Sequence, residues 1–183
     1  MRLIPSGSQT VGPFFNFGLT INGSLGVLAG PGAEGERMRL SFQVVDGDGA
    51  PTPGDAMIEL WQADAQGRYD DGDADFCGFG RLEVDLNGCC TFETVKPGRV
   101  QGHDGRLQAP HINVILFARG LLKHLHTRVY FAGEPANAED AVLAMVLESR
   151  RATILARPLA DQANAWHLEI RLQGEAETVF FDL

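Results

Sequence analysis

Tyr69, in WQADAQGRYD, and the pair His111 and Asn113, in APHINVILFARG, are the residues whose types and spacing could serve a metal ion. Apolar Ile112, Val114, Leu116 and Ala118 alternate through the second segment, so 112–118 reads as a strand, with His111 and Asn113 on one face. Two imidazoles at that spacing would form a two-pronged claw. Joined by phenolates, they would suit a hard trivalent iron, which favours anionic oxygen donors with imidazoles completing the shell. Asn113 breaks that set, and of the two tyrosines in the chain the other, Tyr130, falls in a different strand segment. The commoner use of such residues is structural: a packed aromatic with its hydroxyl at the surface, and a hydrogen-bonded, half-buried imidazole.

His124 and His126, in KHLHTR, do have claw spacing. Two imidazoles alone leave a four-coordinate ion short of protein ligands, so hydrogen bonding in a polar face or an interface is their more frequent use. Arg119 falls where the strand hands over to a loop, and its planar guanidinium is suited to gripping a carboxylate. A surface ion pair is the ordinary alternative. Thr10, Gly12 and Pro13 of SQTVGPFF, taken alone, spell only a turn. The sequence contains no G-x-S-x-G and no P-loop, so serine hydrolase and nucleotide-phosphate chemistries lack their parts.

Short strands must carry these residues. RLSFQVV, MIELWQA, FGRLEVD, CTFETV, 112–118, 126–131, WHLEIRL and ETVFF alternate or run apolar, with Gly, Pro, Asp and Asn clusters between them. LNG resembles a hairpin connection, with Asn87 and Gly88 supplying positive φ. ANAEDAVLAMVLES carries the one plausible helical period. Residues 1–36, rich in Gly, Pro, Ser and Asn, read as an irregular arm, and 37–183 as the body of a single domain. The expected fold is all-β: an antiparallel β-sandwich core with an irregular N-terminal arm and one short helix.

The 183 residues suit one domain, which at this size buries roughly 70% of the surface its unfolded chain exposes. A net charge of -9 argues against a nucleic-acid surface and leaves a small substrate or another protein as the partner. The three cysteines, two of them adjacent, fit neither a disulfide framework nor a zinc knuckle. The longest apolar runs fall far short of the roughly 20 residues that cross a bilayer, and the first residues lack the apolar core of a signal peptide, so the expected location is the cytoplasm.

SQTVGPFF, IELWQADAQGRYD, FGRLEVDLNGCCTFETVKPG, APHINVILFARG, HLHTRVYF and QGEAETVFFDL, in that order and over nearly the whole chain, resemble the intradiol ring-cleaving dioxygenases. In that family iron is held by two tyrosines and two histidines, and catalytic chains carry a tyrosine soon after K-P-G and the pattern H-x-H. Tyr69 matches the first tyrosine and His111 the first histidine, whereas Arg99 and Val100 follow K-P-G and Asn113 replaces the second histidine. The resemblance therefore implies that Tyr69, His111 and Asn113 are vestigial metal-site positions. This chain would hold no metal and no catalytic residue of its own, with Fe(III) in a beta chain and the two paired in a larger oligomer. It also implies that Thr10, Gly12, Pro13 and Arg119, with Phe14 where relatives often have tyrosine, border the partner's site. There the arm would line the substrate entrance and Arg119 would orient or attract the carboxylate of 3,4-dihydroxybenzoate, whose ring O2 opens to 3-carboxy-cis,cis-muconate. Two alternatives stay open: a non-catalytic binding module on a related sandwich, and a single-chain metalloenzyme using His124 and His126.

Overall fold

The computed structural model describes residues 6–12, 16–52, 56–69, 75–103 and 105–182. Among them eight strands form: β1 (Arg37–Val45), β2 (Ala56–Gln62), β3 (Phe79–Glu83), β4 (Cys89–Val95), β5 (His111–Ala118), β6 (Leu125–Phe131), β7 (Leu155–Pro158) and β8 (Ala165–Arg171). They make one mixed sheet in the order β3-β2-β5-β6-β7-β8-β1-β4. β1 pairs with β8, and β6 with β7, in parallel, while the other neighbours run antiparallel. The all-β expectation holds, but the wholly antiparallel sandwich gives way to a single sheet curled almost into a barrel.

The reason lies at the sheet edges. β3 and β4 are consecutive in sequence yet stand at opposite ends of the strand order, so the turn between them is not a hairpin. It carries the chain across the gap instead, with Gly88 donating to the Asp85 carbonyl at 3.0 Å. Gly88 alone takes positive φ there (72°), and Asn87 does not. Residues 27–30 then seal the gap: Leu28 donates to Glu93 O at 2.8 Å and accepts from Cys77 N at 2.8 Å, and Gly30 donates to Asp75 O at 2.6 Å. An edge so covered leaves fewer unpaired backbone groups for another chain.

Alternation explains the core. Met38, Leu40, Phe42 and Val44 of β1 point inward with Ile58 and Leu60 of β2, Phe92 of β4, Ile112, Val114 and Leu116 of β5 and Ile170 of β8. Phe42 and Phe92 meet edge to face at 6.0 Å and 82°. The expected helix is broken into a 3-10 turn at Pro135–Glu139 and two short helices, α1 (Ala141–Met145) and α2 (Glu148–Arg151). Asp140 breaks it, because its backbone is extended (φ -75°, ψ 120°) while its side chain caps α1. The expected ETVFF strand is not one: Phe181 contributes only an isolated bridge to His126. β7, with Pro158 inside it, is a strand that alternation does not reveal.

The described part of the arm lies across the outer face of β3, β2 and β5. Val11 and Leu19 pack on buried Met57, Ile115 and Phe117. Ser6 donates to buried Glu59 through its amide (3.1 Å) and hydroxyl (2.8 Å), and Glu59 is paired with Arg81 at 2.8 Å. No helix among the described residues is long and apolar enough to cross a membrane. The three cysteines are free.

Candidate functional site

Two loops meet to place Tyr69. Asp64 builds the first: its Oδ1 accepts from the amides of Gln66 and Arg68, each at 2.9 Å, and its Oδ2 from Arg68 Nε at 2.8 Å. These bonds and the charge of Arg68 hold the Asp64 carboxyl below its usual range against the opposing effect of desolvation, which is the largest single influence. Gly67 takes φ 79°, and a Cβ there would lie 2.0 Å from Arg99 O. Gly98 is equally constrained, since a Cβ on it would lie 2.5 Å from Ala65 O. The glycine of W-Q-A-D-A-x-G and that of K-P-G thus pack backbone against backbone, setting Arg99 beside the tyrosine loop.

β5 and β6 supply the rest. Their register sets His111 opposite Tyr130 and Asn113 opposite Arg128. Asn113 Nδ2 donates to the Tyr69 hydroxyl at 3.1 Å, joining the two positions that the sequence singled out. His111 is buried, and its Nδ1 donates to Ala109 O at 2.8 Å, which fixes the tautomer and leaves the lone pair on Nε2. Desolvation, reinforced by the nearby charge of Arg128, lowers its pKa from 6.5 to about 4, so the ring is neutral at physiological pH. Desolvation also raises the Tyr69 phenol above its ordinary value, opposed by Arg128 and Asn113, although the residue is half exposed overall.

Residues that the sequence did not single out frame this pair. Arg128 Nη1 donates to Gln108 Oε1 at 3.1 Å and to the Tyr130 hydroxyl at 3.4 Å. Tyr130 in turn donates to Asp140 at 3.0 Å, and Asp140 also accepts from the amides of Ala109 and Leu143, each at 2.7 Å. Arg99 donates to Gln108 O at 3.2 Å, to Leu107 O at 3.0 Å and to Glu139 at 3.2 Å. The cluster does not fit a ferric ion. Of its two phenols Tyr130 is engaged by Asp140 and Arg128, which leaves Tyr69 and one imidazole, and an amide N–H is turned on the Tyr69 hydroxyl.

The other predicted residues gather elsewhere. Thr10 Oγ1 accepts from Gly120 N at 3.1 Å, which brings the arm to the turn that carries Arg119. Arg119 is exposed immediately beyond β5, and Gly12 is half-buried in the arm. Pro13 and Phe14 lie outside the described residues. At the rise of an extended strand, His111 and Arg119 are roughly 25 Å apart. One small aromatic molecule cannot touch both. His124 and His126 pack edge to face at 4.5 Å, with Ser8 hydrogen-bonded to His124 at 3.1 Å.

Comparison with known proteins follows the same lines. Residues 12–174 match the family profile described as Dioxygenase. A protocatechuate 3,4-dioxygenase alpha chain of Pseudomonas putida is 42% identical over 100% of this chain and 98% of that protein. A protocatechuate 3,4-dioxygenase beta chain of Burkholderia cepacia is 33% identical over 79% of this chain and 67% of its own length. The crystal structure of 3-chlorocatechol 1,2-dioxygenase from Rhodococcus opacus 1CP shares the fold, with a TM-score of 0.68 at 22% identity over 90% of this chain and 71% of that one.

Proposed function

Because this chain belongs to the intradiol dioxygenase family, we propose that it is the alpha subunit of a protocatechuate 3,4-dioxygenase that leaves the iron to a beta chain. The observation that carries this reading is a donor set too small for iron: Asn113, where a second histidine would complete the claw, donates to Tyr69, and Arg99 and Val100 rather than a tyrosine follow K-P-G. The alpha-chain relative, at 42% identity over the whole length, supports it. Ferric iron, bound by the beta chain, would supply the activation of the catechol toward O2. No step runs through a metal in this chain.

The chain's own contribution is shape and charge at the mouth of its partner's site. Arg119 offers a fork of N–H donors to the carboxylate of 3,4-dihydroxybenzoate, a charge-assisted contact that orients the ring without taking part in its cleavage. Thr10, tied to Gly120, fixes the arm beside that arginine, with Gly12 close behind it at the entrance. Alpha and beta chains pair and assemble further, in the cytoplasm, where the free thiols stay reduced.

Reconstitution tests this. This chain mixed with its beta partner should consume O2 and open the ring of 3,4-dihydroxybenzoate, while this chain alone should do neither. Ring cleavage by the isolated chain would contradict the proposal, as would a beta chain fully active and unchanged in its absence.

A further inference from the structure

The cluster around Tyr69 and His111 holds a built-in positive charge. Asn113 and Arg128 are direct cross-strand partners, as are His111 and Tyr130, so the four side chains stand as a square on one face of β5 and β6. The guanidinium is fixed at two points, by Gln108 Oε1 at 3.1 Å and the Tyr130 hydroxyl at 3.4 Å. Tyr130 donates its hydroxyl hydrogen bond to Asp140 Oδ1 at 3.0 Å, which leaves the phenol oxygen's lone pairs to accept from Arg128. The arrangement is thus a cation with its counter-charge one hydrogen bond removed.

We infer that Arg128 is the resident cation of this remnant site, a guanidinium held where its fixed charge excludes a metal ion. This rests on the reading that the chain leaves iron to its partner, and it adds that the loss of two donors is not the whole cause. A guanidinium cannot shed its proton at any physiological pH, so its repulsion of an arriving cation is permanent. That charge stands beside both surviving donors: Arg128 faces Asn113, whose amide holds Tyr69, and bonds Tyr130, the cross-strand partner of His111. Gln108 locks the arrangement from outside: its side chain holds Arg128 and its carbonyl accepts from Arg99, a second cation at the same edge.

The test is metal affinity in the full chain, with cobalt(II) as the probe, because its visible absorption reports the donors around it. Asn113→His restores the two-imidazole claw beside Tyr69. Alone it should bind cobalt(II) weakly. Combined with Arg128→Gln, which keeps hydrogen-bonding capacity but not charge, or with Arg128→Met, it should bind more than about tenfold tighter, as removal of a like charge from a neighbouring cross-strand position requires. Combined with Arg128→Lys, which keeps the charge, it should stay weak. Circular dichroism confirms the fold of each variant, and the Gln variant stands if the Met variant fails to fold. Equal affinity of Asn113→His with and without Arg128→Gln would overturn the inference, as would relief by Lys as large as by Gln, since space rather than charge would then be the barrier. Tight metal binding by the unmutated chain would instead strike the proposed function itself.

Discussion

At the scale of single residues, chemistry at Arg119 and burial at His111 make separable predictions. Arg119→Ala in the alpha–beta complex should raise KM for 3,4-dihydroxybenzoate severalfold more than for plain catechol, because only the former carries a carboxylate, while kcat changes less. Steady-state kinetics on both substrates checks this, and equal effects would remove the carboxylate role. His111 is depressed in the folded chain to about 4 from 6.5, so the unfolded chain binds the proton first as pH falls. Its contribution is therefore complete above about pH 6.5 and lost toward about pH 4, on the order of 3 kcal/mol if no other group compensates. Denaturant melts of the chain and of His111→Gln across that window should show a shallower pH slope in the variant. Asp140 is the third such residue. It is buried and accepts from Tyr130 and two backbone amides, so Asp140→Ala should cost about 2–4 kcal/mol by leaving those donors unsatisfied.

At the scale of elements, the arm and the sheet respond differently. Thr10→Val removes the acceptor of the Gly120 amide, so hydrogen exchange at Gly120 should accelerate with little change in melting temperature. Glu59→Ala should instead cost about 3–5 kcal/mol, because Glu59 is fully buried and its loss strands Arg81 beneath the arm. Most strands were legible because an apolar face alternates with a polar one over five or more residues. β7 was not, since four residues with a proline carry no period. Turn chemistry around LNG announced a reversal but not which strands would pair, and β3 and β4 landed at opposite sheet edges. The helical period of 136–149 was real but lost to Asp140, whose bonds to Ala109 and Tyr130 hold its backbone extended. The same limit governs the candidate site. Tyr69, His111 and Asn113 were visible from period-two spacing and motif, whereas Arg128 joins them only through the register of β5 against β6, which no local pattern encodes.

At the scale of the whole molecule, β5 separates two clusters of the residues that the sequence singled out. One end gathers Tyr69, His111, Asn113 and Arg128, and the other carries Arg119 next to Gly120, to which Thr10 of the arm is bonded. On the proposed function, a chain with a net charge of -9 would gain from a local arginine where an anionic substrate enters. The measurement that bears most directly on the division of labour is the visible spectrum and iron content of this chain, purified without a beta chain after exposure to ferric iron. A colourless protein with iron far below one equivalent is the expected result. An intense charge-transfer band from Tyr69 phenolate to iron, with one iron per chain, would contradict it.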